Sequence, residues 1–190
     1  MTDTTSLIEI RWHGRGGQGA VTSAELVAQA AISEDKYAQA FPSFGPERRG
    51  APVLAFNRID SSKPIKIRAE IIQPDVVVVL DPGLLPIINV TSGLKEGGTV
   101  IVNTKKSAKQ IRSEFGTKGR LSTVDGTRIA RELLGVPIVN TTMLGALIKA
   151  TEIVKLDSMK APLERRFGRL AERNYNAMIK AYEDTLLGER

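Results

Sequence analysis

The stretch Trp12-His13-Gly14-Arg15-Gly16-Gly17-Gln18-Gly19-Ala20 decides the fold of this chain. The residues before it, 7–12, alternate between apolar and polar side chains, which predicts a β-strand. The residues after it, 20–33, predict a helix with one face of small apolar side chains that can pack closely on a sheet: Val21, Ala24, Val27, Ala28 and Ala31. A strand, a glycine loop and a helix in this order indicate the first unit of an α/β fold.

The rest of the chain continues this alternation. The runs 76–80 and 99–103 are almost wholly apolar, as expected of parallel strands that are buried on both faces. Further strands are predicted at 37–41, 53–59, 65–71 and 121–124, and helices at 84–94, 127–134, 140–155 and within 161–187. The pair 53–59 and 65–71 predicts an antiparallel excursion. The fold class is therefore a single-domain three-layer α/β sandwich with a mostly parallel, Rossmann-like sheet.

Length and composition limit the class of protein. The 190 residues suffice for one domain, with a core at about 7–155 and a C-terminal helical region at 156–190. The chain has no cysteine and one histidine, which excludes disulfides and thiolate-held metal centres and leaves no histidine pair for zinc. No apolar run is long enough to span a bilayer, and the first residues are polar, so we expect a cytoplasmic protein.

The glycine loop is the strongest candidate for a binding site. Gly14, Gly16 and Gly19 have the G-x-G-x-x-G spacing, which can bring backbone N–H groups close to a phosphate at a helix N-terminus. The candidate binding residues are the whole loop together with two cations of a Pro- and Gly-rich loop at 41–52: Gly14, Arg15, Gly16, Gly17, Gln18, Gly19, Arg48 and Arg49. A purely structural tight turn is the alternative interpretation.

Two further patterns limit the function. No acidic residue ends the predicted strand 37–41, where a dinucleotide-binding fold would hold a ribose, so NAD or FAD binding is disfavoured. The net charge of +6 has a local source, because 103–131 contains eight Lys or Arg residues opposed only by Glu114 and Asp125. This segment fits a solvated face, an acidic partner or an anionic cofactor. Nucleic acid is disfavoured, since aromatic side chains do not interleave with the basic ones. No catalytic set of side chains is visible.

Three segments in this order resemble the gamma subunit of pyruvate (2-oxoacid):ferredoxin oxidoreductase. They are His13-Gly-Arg-Gly-Gly-Gln-Gly-Ala20, Tyr37-Ala-Gln-Ala-Phe-Pro42 and Gly45-Pro-Glu-Arg-Arg-Gly-Ala-Pro52. The stretches 74–79 and 140–146 are also similar to this family, and the resemblance runs from about residue 8 to residue 153.

The resemblance implies an enzyme that oxidatively decarboxylates pyruvate with coenzyme A to acetyl-CoA and carbon dioxide, and passes the electrons to ferredoxin. It implies thiamine diphosphate with Mg on the alpha and beta subunits and [4Fe-4S] clusters on the beta and delta subunits. A gamma chain without cysteine fits this division, and we expect no activity from it alone. The expected partners are the alpha, beta and delta subunits, with no nucleic acid and no membrane. The isolated chain is predicted to be able to form a homodimer.

Alternatives remain open at this stage. The 2-oxoisovalerate, 2-oxoglutarate and indolepyruvate enzymes share the same kind of gamma subunit, and the motifs favour the pyruvate or 2-oxoisovalerate types. A stand-alone nucleotide-binding module and a basic interaction protein are the two other classes. Neither of them explains both glycine motifs.

Overall fold

A mixed six-stranded sheet forms the centre of the molecule in a computed structural model, which describes residues 6–43 and 50–188. The strands lie in the spatial order β2-β3-β1-β4-β5-β6. Their bounds are β1 Leu7–Arg15, β2 Tyr37–Pro42, β3 Pro52–Asp60, β4 Val76–Val79, β5 Thr99–Asn103 and β6 Arg120–Val124. The helices are α1 Ala20–Ser33, α2 Ala108–Phe115, α3 Gly126–Leu134, α4 Asn140–Thr151, α5 Lys160–Phe167 and α6 Ala171–Asp184.

The direction of the strands confirms the predicted fold class. β1, β4, β5 and β6 pair in parallel, whereas β3 runs antiparallel to both β1 and β2. The sheet does contain an antiparallel excursion, but β3 forms it with β2 and β1 rather than with the predicted strand 65–71. β2 and β3, which follow β1 in the chain, lie on one side of it, and β4, β5 and β6 lie on the other side.

Two apolar layers cover the sheet. On one face, Ile10 and Trp12 of β1 belong to the same buried cluster as Ala24 and Val27 of α1, and residues of α3, α4, α5 and α6 complete this cluster. On the other face, Val77 and Val79 of β4 belong to a smaller cluster that includes Leu85 and Ile111. All four valines of β4 are buried, as the continuous apolar run predicts.

The predicted strand at 65–71 and the predicted helix at 84–94 are both wrong. The backbone of each segment is held by side chains of the sheet. Gln39 Nε2 donates to the carbonyl of Ile65 at 2.9 Å, and Arg58 Nη1 donates to that of Ile67 at 3.2 Å. In the second segment, Arg11 Nη2 donates to the carbonyls of Val90 and Ser92, and only a short 3-10 turn forms at 82–84.

The helical predictions after residue 103 need two corrections. Helix α2 was not predicted, although Ser107 and Gln110 form a complete capping box at its start. The predicted long helix within 161–187 is divided into α5 and α6 at Gly168, which has a φ of 52°. Leu170 lies in this break and is 48% exposed. The helix predicted at 127–134 is confirmed, and the one predicted at 140–155 forms but ends at Thr151, where Glu152 has a φ of 52°.

No helix in the described ranges is both long and apolar enough to cross a membrane.

Candidate functional site

The glycine loop lies between β1 and β4, two neighbouring strands whose following segments pack on opposite faces of the sheet. Its first residues, Gly14 and Arg15, are the last two of β1, and Asp81 follows the end of the neighbouring parallel strand β4 by two residues. After β1 the chain packs α1 on one face, whereas the segment after β4 packs on the other face. Ligands of open α/β sheets bind in the crevice that such a divergence leaves at the carboxyl ends of the strands.

Arg15, Gln18 and Asp81 hold the loop in one shape. Arg15 Nε donates to Asp81 Oδ2 at 2.7 Å, and Gln18 Nε2 donates to the same oxygen at 3.1 Å. Gln18 Oε1 in turn accepts from the backbone N–H of Arg15 at 2.8 Å. The positive charge of Arg15 is therefore partly neutralised inside the protein. Its main role in this structure is to fix the loop, rather than to present a free charged fork to a ligand.

Two glycines of the loop are needed for different reasons. Gly17 has a φ of 91°, is exposed, and has open space around the position of a Cβ atom. Gly19 has a φ of 82°, and a Cβ atom there would lie only 2.9 Å from Nδ2 of Asn140. Both backbones lie in the left-handed region that favours glycine. Glycine at position 17 therefore keeps the loop open, whereas glycine at position 19 lets the loop pack closely against Asn140 at the start of α4.

The N-terminus of α1 opens directly behind this loop. Gly19 is its N-cap residue, so no side chain caps the first turn, and the first turn carries no acidic residue. The leading backbone N–H groups of a helix have no partner within the helix, and they favour a negative charge. The uncapped helix start, with Gly17 and Gly19 before it, can therefore accept an anionic group, whereas the backbone N–H of Gly16 is already bonded to Ala51.

The loop 41–52 returns to the same place. The backbone N–H of Gly16 donates to the carbonyl of Ala51 at 3.1 Å, and Arg15 Nη1 donates to that of Gly50 at 3.1 Å. The predicted binding residues Arg48 and Arg49 lie outside the described residues. Gly50 and Ala51, which follow them, are hydrogen-bonded to the glycine loop.

His13 and Arg11 support β1 beneath the site. His13 is 4% exposed, and its Nε2 accepts a hydrogen bond from Arg11 Nε at 3.1 Å. Burial and the charge of Arg11 lower the pKa of His13 from 6.5 to about 3. His13 is therefore a neutral structural residue near neutral pH, and not a ready proton donor. Burial also lowers the pKa of Arg11, whose guanidinium donates chiefly to backbone carbonyls.

Within residues 6–43 and 50–188, no three His, Cys, Asp or Glu side chains form a group that could hold a metal ion. The arrangement can bind an anion or a partner. Sequence reasoning did not foresee the contact of Asn140 with Gly19, nor that Asp81 would bind Arg15, because each pair is distant in sequence.

The pyruvate ferredoxin/flavodoxin oxidoreductase family matches the chain over residues 9–184. The chain is 56% identical over 185 residues to the pyruvate/ketoisovalerate oxidoreductases common subunit gamma of Thermococcus kodakarensis, covering 96% of this chain and 100% of that protein. It is 50% identical over 179 residues to the pyruvate synthase subunit PorC of Methanothermobacter thermautotrophicus, covering 94% and 96% of the two chains.

A solved structure has the same fold. The pyruvate oxidoreductase subunit PORC of Thermotoga maritima superposes with a TM-score of 0.85 and is 40% identical, over 97% of this chain and 99% of that one. The chain therefore belongs to the pyruvate ferredoxin/flavodoxin oxidoreductase family, and within that family it is a gamma subunit.

Proposed function

We propose that this chain is the gamma subunit of an enzyme that oxidatively decarboxylates pyruvate with coenzyme A to acetyl-CoA and carbon dioxide and reduces ferredoxin. Its partners in this proposal are the alpha, beta and delta subunits. We assign thiamine diphosphate, Mg and the [4Fe-4S] clusters to those subunits, so that this chain is inactive alone. The support is the high identity to gamma and PorC subunits over nearly the whole chain.

The name of the Thermococcus relative suggests which part of the reaction a gamma subunit serves. That protein is a common subunit of pyruvate and ketoisovalerate oxidoreductases. A subunit shared by two enzymes contributes to what the two reactions have in common, and the 2-oxoacid is what differs between them. Coenzyme A is common to both reactions. An enzyme specific for 2-oxoisovalerate is therefore the second candidate, and this chain does not choose between the substrates.

The glycine loop is the proposed contact for coenzyme A. The single observation that carries this proposal is the uncapped start of α1 behind a rigid, open loop at the carboxyl edge of β1 and β4. A pyrophosphate is the kind of anion that such a helix start accepts from backbone N–H groups. In this proposal Arg15 shapes the loop through Asp81, and Arg48 and Arg49 contribute positive charge. A docking role against the other subunits is the alternative for the same surface.

The test uses the assembled enzyme with Arg15→Ala and Arg48→Ala introduced together. We expect the KM for coenzyme A to rise about tenfold or more, since the proposed charged contact of Arg48 is lost and the loop loses the Arg15–Asp81 ion pair that shapes it. The KM for pyruvate is expected to stay unchanged. Lys63→Ala with Lys66→Ala is the matched control, because it also removes two positive charges and Lys63 follows the end of β3 that pairs with Leu7, away from the loop.

The outcomes separate the two roles of the surface. Normal coenzyme A kinetics in an intact complex would show that the loop does not receive this cofactor. Loss of the other subunits from the purified complex would show that the loop serves docking instead.

A further inference from the structure

A second crevice opens farther along the same edge of the sheet, at the ends of β5 and β6. It forms because the two strands send their following helices to opposite faces: Ile111 of α2 packs in the smaller apolar cluster, whereas Ile129 of α3 packs in the larger one. The resulting cleft has a volume of about 650 Å³, which is the size of a small-molecule site. No residue of the glycine loop lines it.

The cleft combines an apolar wall with a positively charged rim. Leu85, Ile111 and Phe115 supply the wall, and Lys105 and Arg131 lie on the rim. Both cations are exposed and have no ion-pair partner among the described residues. The other two cations of the lining are engaged, since Lys106 pairs with Glu114 at 2.5 Å, and Arg128 pairs with Glu132 and Asp184.

A carboxylate stands at the end of β6 in the same lining. Asp125 Oδ1 accepts from the backbone N–H of Arg128 at 3.0 Å and caps α3 in this way. Oδ2 of Asp125 has no hydrogen-bond or ion-pair partner in the described part of the chain. An acidic side chain at the end of a parallel strand is the group that accepts the ribose hydroxyls of a nucleotide in dinucleotide-binding folds.

We propose that this cleft binds a nucleoside phosphate. The base lies against the apolar wall, the ribose hydroxyls donate to Asp125, and the phosphates bind Lys105 and Arg131. A helix N-terminus does not hold the phosphate here, because the Ser107–Gln110 capping box closes α2 and Asp125 closes α3. A bare inorganic anion would leave the apolar wall unused.

The proposed site is separate from the glycine loop, although the two are neighbours. Pro82 lines the cleft, whereas a Cβ atom on the next residue, Gly83, would lie 3.7 Å from Arg15 Nη2. Two ligands would bring a nucleoside phosphate to this cleft: a free nucleotide, or coenzyme A through its nucleotide portion. The inference does not depend on the glycine loop receiving coenzyme A.

The test is calorimetric titration of the full chain with ADP. The double variant Lys105→Glu with Arg131→Glu is expected to weaken ADP binding about tenfold or more, since charged contacts to the phosphates are lost. Lys109→Glu with Lys118→Glu is the matched control. Both lysines are exposed and belong to the same basic segment, but neither lines the cleft, so ADP affinity should stay near that of the unmodified chain.

Further titrations identify the source and isolate the site. Competition by coenzyme A for ADP supports its nucleotide portion as the source, and absence of competition supports a free nucleotide. Retention of ADP binding in Arg15→Ala shows that the cleft is independent of the glycine loop. Three results overturn the inference: no ADP binding at millimolar concentration, equal loss in the control variant, or binding of pyrophosphate as tight as that of ADP.

Discussion

The sole histidine of the chain provides a sharp test of how β1 is buried. His13 is 4% exposed, with Nε2 accepting from Arg11 and with Nδ1 lacking a partner among the described residues. Burial and the charge of Arg11 lower its pKa from 6.5 to about 3. His13 therefore takes up a proton below about pH 6.5 in the unfolded chain, but only near about pH 3 in the folded chain.

The sign and size of the effect follow from this difference. The contribution of His13 to the free energy of unfolding is full above its unfolded pKa of 6.5 and falls as the pH decreases toward about 3. Each pH unit in this window removes about 1.4 kcal/mol, so acidification to about pH 5 removes about 2 kcal/mol.

The assay is urea unfolding of the full chain at a series of pH values, with His13→Gln as the control. Glutamine still offers an oxygen to Arg11 Nε but takes up no proton. The carboxylates titrate in both proteins, so the difference between the two curves isolates His13. We expect the unmodified chain to lose about 2 kcal/mol more than the variant between about pH 8 and about pH 5. Parallel curves would refute the reasoning and show that the imidazole is open to protonation in the folded state.

Three substitutions test the packing around the sheet by the same urea assay. Gly145→Ala is expected to lower the free energy of unfolding by about 2–4 kcal/mol, since the new Cβ would lie 2.0 Å from the backbone oxygen of Met178 and the helix-propensity gain is only about 1 kcal/mol. Asn57→Leu should lower it by about 2–4 kcal/mol, because Trp12 Nε1 loses its buried acceptor at 2.8 Å. Gly19→Ala should lower it by at least about 1–2 kcal/mol, because its φ of 82° suits glycine.

Gly14→Ala is the matched control for the two glycine variants. A Cβ atom at this position would meet that of Ala20 at 3.4 Å, which is an ordinary contact, and the φ of Gly14 is not positive. We expect a change of less than about 1 kcal/mol. If Gly145→Ala is as stable as this control, then α4 and α6 do not approach as closely as described. If Asn57→Leu is neutral, the hydrogen bond to Trp12 does not form.

Patterns among neighbouring residues predict the strands and helices that form through short-range interactions. The apolar runs at 76–80 and 99–103 predict strands buried on both faces, and the small residues of α1 predict a helix that packs closely on a sheet. These signals depend on neighbours within a few positions along the chain. The strand, glycine loop and helix at 7–33 are predictable for the same reason.

The wrong predictions lie in segments whose backbone conformation is held by side chains that are distant in sequence. Alternation at 65–71 predicts a strand, but side chains of the sheet bind its carbonyls instead. The partner of Arg15 in the site is equally distant, because Asp81 lies 66 positions away. Sequence alone therefore predicts an anion-binding loop, whereas the charge left to Arg15 depends on a contact that only the folded chain creates.

The most direct test of the central claim is purification of the native complex through a tag on this chain, followed by an anoxic assay with a viologen dye. We expect the alpha, beta and delta subunits to be recovered with it. We also expect the dye to be reduced only when both a 2-oxoacid and coenzyme A are present. Recovery of this chain alone, or dye reduction that does not depend on coenzyme A, would contradict the account.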